Sequence, residues 1–154
     1  ATVTPVVSAG SANQPANLST LTINGFGFDS IANNNTVTLS GGAIGVVTAA
    51  TATSLTVNLT TRPTTAGDLT AAVTTRGISS GAPVVIAEVS PVVTSRNTSL
   101  AANGTEVVIN GFGFSSTPAD NVVTFAGGAQ GNVTAASPTS LTVTFTTNPP
   151  NAGS

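Results

Sequence analysis

The sequence of 154 residues contains no histidine, cysteine, methionine, tryptophan, tyrosine or lysine. Without histidine and cysteine the chain has no imidazole base, no thiolate nucleophile and no soft ligand for a transition metal. Serine and threonine are abundant, but a hydroxyl nucleophile needs a base such as histidine or lysine. These absences exclude most catalytic centres, and we expect no enzymatic activity, no catalytic residue and no cofactor.

Charge is also scarce. The chain has 3 arginines and 5 acidic residues, a net charge of −2, so it offers no basic stripe for a phosphate backbone and we expect no nucleic-acid partner. No apolar run approaches about 18 residues, so we expect no membrane insertion. Disulfides and lysine–asparagine cross-links are excluded by composition, and stability must come from burial and backbone pairing.

What the chain does contain is valine, threonine and alanine, with turn residues between short apolar runs. Valine and threonine favour the half-buried surface of a sheet, and short strands separated by turns every 8–12 residues are typical of a β-sandwich. No stretch has helical periodicity, so we predict an all-β fold. The predicted strands of the first half are Val3–Val7, Leu21–Ile23, Val37–Leu39, Val46–Val47, Leu55–Leu59, Leu69–Val73 and Val84–Ile86.

The chain repeats itself with a period of 86 residues and no gap. Asn24-Gly25-Phe26-Gly27-Phe28 returns as Asn110-Gly111-Phe112-Gly113-Phe114, and Ser54-Leu55-Thr56-Val57 returns as Ser140-Leu141-Thr142-Val143. Such a period is too long for a solenoid repeat but fits a small sandwich domain. We therefore predict two domains, residues 1–86 and 87–154.

The order of motifs resembles the TIG (also called IPT) immunoglobulin-like domains of plexins, some transcription factors and many bacterial surface proteins. A first strand containing proline is followed by Asn-Gly-Phe-Gly-Phe, then Asn-x-Val-Thr with a Gly-Gly turn, then Thr-Ser-Leu-Thr-Val. The resemblance implies tandem immunoglobulin-like β-sandwiches, but it does not determine a function, because this fold has many functions.

The second copy is incomplete, since 68 of its 86 residues are present. The missing part corresponds to Leu69–Ile86, which carries the last two predicted strands. Three explanations stay open: an excerpt from a longer array, completion by strands from a neighbouring molecule, or an incomplete domain that is tolerated.

The short link between the copies, Val84–Pro91, is not a spacer rich in glycine and serine, which favours an extended rod. We interpret the chain as a structural repeat unit of an extracellular, cell-surface rod, adhesin stalk or self-assembling filament. Its expected partners are copies of itself or adjoining repeats, with surface glycans as a further candidate. The alternative is an accessory carbohydrate-binding module of a secreted enzyme, which the lack of tryptophan and tyrosine makes the weaker interpretation.

The acidic residues are the candidates for a metal site, and they are Asp29, Asp68, Glu88, Glu106 and Asp120. Asp29 precedes Asn33–Asn35, and Asp120-Asn121 occupies the matching loop of the second copy, so oxygen ligands for Ca²⁺ are present in both. However, Asp29 aligns with Ser115 and Asp120 aligns with Asn34, so the repeats do not preserve a ligand set. We favour ordinary turn formation and predict no metal site.

The Gly-Phe-Gly-Phe motif superficially resembles a glycine loop for phosphate, but no helix or lysine follows it. We interpret it as structural, with glycines that allow a bend and with Phe26 and Phe28 anchoring the core. Phe125 and Phe145, which replace Leu39 and Leu59, are predicted to join the core of the second copy.

Overall fold

Strands make up the regular structure of both halves of the chain. The computed structural model describes residues 1–94 and 99–151, and it divides into two compact units, Ala1–Ser90 and Pro91–Ser154. Apart from strands, the described residues form two short 3-10 segments, Ala32–Asn34 and Pro118–Asp120, and no α-helix. The predicted all-β class is therefore confirmed.

The first unit contains one four-stranded sheet and one five-stranded sheet. In the first sheet, the antiparallel order is β1-β3-β6-β5, with β1 at Val6–Val7, β3 at Thr20–Phe26, β5 at Ile44–Ala50 and β6 at Ser54–Thr61. In the second sheet, the order is β2-β9-β7-β4, with β2 at Ala12–Pro15, β4 at Asn35–Leu39, β7 at Gly67–Thr75 and β9 at Val84–Ser90. Strand β2 runs parallel to β9, and a short strand β8, Ile78–Ser79, extends β7 as a hairpin.

Alternation along these strands builds the core. Every second residue of β3 and of β7 is buried, because successive side chains of a strand point to opposite faces. The fully buried side chains come from both sheets, and they include Ile23, Leu55 and Val57 from the first sheet with Leu69 and Val73 from the second. The arrangement is consistent with a β-sandwich.

The two phenylalanines of the first glycine motif have different environments. Phe28 is buried, whereas Phe26 is 62% exposed, so the prediction that both anchor the core is wrong for Phe26. Strand alternation turns Gly25 inward and Phe26 outward, and Gly27 then adopts φ +74° and reverses the chain. The ring of Phe28 folds back over Gly25, where a β-carbon would overlap the ring and the Val6 carbonyl oxygen. The second copy repeats this geometry, with Phe114 packed over Gly111.

The second unit reproduces one sheet of the first unit. Its antiparallel order is β10-β11-β13-β12, with β10 at Val92–Val93, β11 at Glu106–Phe112, β12 at Gln130–Ser137 and β13 at Ser140–Thr147. The register is shifted by one period, so Ile109 lies opposite Leu141 as Ile23 lies opposite Leu55. Among the described residues of this unit there is no second sheet, and residues 121–125, which align with β4, form no strand.

The last strand of the first unit continues beyond the repeat boundary. Strand β9 runs to Ser90, whereas the repeat period ends at Ile86. Ala87 and Val89 are buried in the first unit and pair with Leu69 and Gly67 of β7. Residues 87–90 therefore complete the first sandwich.

Candidate assembly site

A buried asparagine organises the loop that precedes β4. The side chain of Asn35 accepts a hydrogen bond from the Asp29 N–H at 3.0 Å and donates to the carbonyl oxygens of Asp29 and Ile31, at 2.8 and 3.1 Å. The Thr75 hydroxyl, at the end of β7, donates to the same Asn35 oxygen at 2.9 Å. The second sheet thus contributes directly to this loop.

The carboxylate of Asp29 accepts hydrogen bonds from three donors of the protein itself. Its oxygens accept from the Ile31 N–H at 2.8 Å and from the Asn34 amide at 3.0 Å, and the Arg76 guanidinium forms an ion pair with it. These hydrogen bonds, the one from Ile31 foremost, lower the pKa of Asp29 from 3.8 to about 2. The charge that balances this carboxylate is therefore a side chain of the same unit, the Arg76 guanidinium.

The second copy forms the same loop with two roles exchanged. Asn121 accepts from the Ser115 N–H at 3.0 Å and donates to the carbonyls of Ser115 and Thr117, both at 2.9 Å. The Ser115 hydroxyl donates to Oδ2 of Asp120 at 3.1 Å. In the first copy Asp29 accepts from the later residue Asn34. In the second copy the earlier residue, Ser115, is the donor and the later residue, Asp120, is the acceptor. The substitutions that seemed to break a ligand set therefore preserve one hydrogen bond.

The other acidic residues do not join these loops. Asp68 and Glu88 lie opposite each other on β7 and β9, on an exposed face, and Glu106 accepts a hydrogen bond from Thr144 at 3.4 Å. Within residues 1–94 and 99–151, no three acidic side chains come together as a cation site would require.

The inner face of the second unit's sheet is partly uncovered. Val7 of the first unit is 6% exposed, but its counterpart Val93 is 66% exposed. On the neighbouring strand, Leu21 and Ile23 are buried, whereas their counterparts Val107 and Ile109 are only half-buried. Leu141 and Val143 stay buried because their strand β13 lies between β11 and β12. We call Val93, Val107, Ile109, Phe125 and Phe145 together the open face.

Phe125 and Phe145 form a contact at one end of the open face. Their ring centroids are 5.4 Å apart with the planes tilted by 50°, a favourable geometry for aromatic pairs. Both rings are half-buried and line a groove of about 450 Å³ together with Leu100, Val107 and Pro149. The prediction that both rings join the core is met only in part, because part of each ring is left uncovered.

The open face was not identified residue by residue from the sequence. The repeat alignment indicates where such a face would lie. The 18 positions of the first copy without a counterpart include Leu69 and Val73, which are fully buried in the first copy. Among the described residues of the second unit, no side chain takes the places of those two partners. The alignment therefore contained the information, but the affected side chains become evident only when the sheet is built.

No protein-family model, curated protein or solved structure matches this chain. The described residues also contain no helix that is long and apolar enough to cross a membrane. The assignment of function therefore depends on the geometry of the two units themselves.

Proposed function

We propose that the chain is a non-enzymatic structural repeat unit of the TIG type, built for an extracellular, cell-surface rod, adhesin stalk or filament. In this proposal its second unit is completed by two strands of an adjoining repeat or a neighbouring copy. The observation that carries the proposal is the difference between Val7 and Val93, which hold equivalent positions at 6% and 66% exposure.

The strand order supports the immunoglobulin-like part of the proposal. Strands β1, β3, β6 and β5 correspond to the order A-B-E-D, and β4, β7 and β9 correspond to C, F and G of that fold. Strand β2 adds to the edge beside β9, in parallel orientation. The second unit contains the A-B-E-D sheet alone among its described residues, so the part it needs is the C-F-G sheet.

Residues 121–125 supply one strand of that missing sheet. Their counterparts in β4 pair with β7 from Asn35↔Thr75 to Leu39↔Ala71, so a β7-like strand is the partner that residues 121–125 lack. A strand added at a free edge gains main-chain hydrogen bonds and buries alternate side chains. Completion by an F–G hairpin would therefore convert residues 121–125 into a strand and cover the open face.

The experiment is to append a copy of Leu69–Ser90 directly after Ser154, which continues the repeat in register. Hydrogen exchange measured by mass spectrometry, at a concentration low enough to keep the 154-residue chain monomeric, should show β11 strongly protected in the extended chain and weakly protected in the 154-residue chain. The control carries serine at the appended copies of Leu69, Val73 and Ile86, which are buried in the first unit.

Light scattering after size-exclusion chromatography gives the second readout. We expect the 154-residue chain to self-associate at micromolar concentration and the extended chain to be monomeric. Equal exchange of β11 in the extended chain and its serine control would refute completion by a hairpin. A strictly monomeric 154-residue chain would refute completion by a neighbouring copy and leave an adjoining repeat as the source.

A further inference from the structure

The turn after β7 connects the second sheet of the first unit to the asparagine loop. Arg76 and Gly77 form the two-residue turn between β7 and β8, and both have positive φ, +50° and +81°, as in a type I′ turn. The Arg76 N–H donates to the Asn34 carbonyl oxygen at 2.9 Å, and its guanidinium pairs with Asp29. The hairpin thus docks on this loop through backbone and charge together.

The identity of this turn residue is informative because the conformation does not favour it. Arg76 is the one non-glycine residue with positive φ among those described, and asparagine or aspartate is several times more common in that conformation. An arginine there places a long cationic side chain within reach of the loop. The ion pair with Asp29 is the side-chain contact that the arginine makes with that loop.

The loop of the second unit has a carboxylate in the equivalent hydrogen-bonded pair of side chains. Oδ2 of Asp120 accepts a hydrogen bond from the Ser115 hydroxyl. In the first copy the equivalent bond runs the other way along the sequence, from the Asn34 amide to the Asp29 carboxylate. The carboxylate of the second copy thus stands at the repeat position of Asn34, the residue that is hydrogen-bonded to Asp29 in the first copy. The described residues of the second unit include no lysine or arginine, and its one arginine, Arg96, lies outside them.

We propose that the partner of the open face is a β-hairpin from another repeat of this type whose turn carries a cationic side chain that pairs with Asp120. This inference rests on the proposed function and specifies the chemistry of the partner. The hairpin must also place a small residue beside Phe125, because Ala71 lies beside the corresponding Leu39 in β4 and phenylalanine is the larger side chain. Apolar alternation covers the face, and the charge pair fixes which hairpin docks and in which register.

The test varies both charges in the extended chain. The appended duplicate of Arg76 is made arginine, glutamine or glutamate, and each hairpin is combined with Asp120, Asp120→Asn or Asp120→Arg. Hydrogen-exchange protection of β13 in the second unit is the readout. With Asp120 present we expect protection in the order arginine, glutamine, glutamate, with steps of roughly two- to fivefold, the range of partly exposed ion pairs.

Swapping the two charges distinguishes the proposed charge pair from docking of the hairpin without it. With Asp120→Asn the three hairpins should become nearly equal, and with Asp120→Arg the glutamate hairpin should protect best. High salt should shrink the differences, because it screens exposed charges. Glu106→Gln, which removes a carboxylate that does not belong to the loop, is the matched control and should leave the order unchanged.

Each failure has a distinct signature. If no hairpin protects β13 or β11, whatever its turn residue, the proposed function fails. If all hairpins protect equally with Asp120 present, or if the order does not respond to Asp120→Asn and Asp120→Arg, hairpin completion stands and the charge pair is refuted.

Discussion

The sharpest test of the open face uses the same substitution at two equivalent positions. Val7→Ala removes two carbons from a side chain that is 6% exposed, at about 0.8 kcal/mol for each buried methylene plus a cavity term. We therefore expect the first unit to lose about 1.5–2.5 kcal/mol of unfolding free energy. Val93→Ala acts on a side chain that is 66% exposed, and we expect a change within about 0.5 kcal/mol.

The assay must resolve the two units separately. The chain has no tryptophan or tyrosine, so native-state hydrogen exchange in urea, followed by mass spectrometry, is the suitable method. Peptides covering Leu55–Val57 and Leu141–Val143 report the first and second unit, because these segments are buried in both. In the extended chain, Val93→Ala should become as costly as Val7→Ala. Equal costs at both positions in the 154-residue chain, measured at a concentration where light scattering shows it to be monomeric, would refute the reasoning, because Val93 would then be buried without a partner.

Two further predictions concern the first unit. Gly25→Ala should destabilise it by about 3 kcal/mol, since the new methyl group meets the Val6 carbonyl and the Phe28 ring. The control is Gly81→Ala, where the methyl group has open space and only the φ of +89° is unfavourable, so it should cost about 1 kcal/mol. Equal midpoint shifts of the two variants in urea would contradict the steric argument. The pKa of Asp29, lowered to about 2 from 3.8, means that the unfolded state binds more protons between those values. The unfolding free energy of the first unit should therefore fall as the pH is lowered from about 4 to about 2. Asp29→Asn should flatten that fall, and an unchanged pH profile in this variant would show that other carboxylates cause it.

The elements that the sequence predicted best are those with one buried face. Leu55–Leu59 was predicted as a strand from its alternation, and β6 occupies Ser54–Thr61 with the same residues inward. Strand β2, with the sequence Ala-Asn-Gln-Pro, has neither alternation nor β-branched residues. Its strand geometry comes from parallel pairing with Ala87–Ser90, a distant contact that local patterns do not encode.

The phenylalanine motif shows how one glycine with positive φ makes a prediction from strand alternation fail. Phe26 and Phe28 are two residues apart, so in an uninterrupted strand they would share one face. Gly27 adopts φ +74°, and this turn places Phe28 inside while Phe26 stays outside. The composition of the motif indicated a bend, but its effect on each ring depends on where the strand ends.

The asparagine loops show what an alignment of the copies can and cannot reveal. Position by position, Asp29 and Asn34 are replaced by Ser115 and Asp120, which removes any shared ligand set. In space, both pairs form one side-chain hydrogen bond, at 3.0 and 3.1 Å, with donor and acceptor exchanged. A compensated exchange of this kind is visible only when the two side chains are known to touch.

The strongest argument for completion comes from two segments that occupy the same repeat position but differ in secondary structure. Asn121–Phe125, with the sequence Asn-Val-Val-Thr-Phe, has a higher content of β-branched and aromatic residues than Asn35–Leu39, with Asn-Thr-Val-Thr-Leu. By intrinsic preference Asn121–Phe125 should be the better strand, yet only Asn35–Leu39 forms a strand. The difference is β7, which pairs with Asn35–Leu39 and has no counterpart among the described residues of the second unit. Strand geometry at this position therefore depends on a partner, and the second unit already has the sequence that such a partner requires.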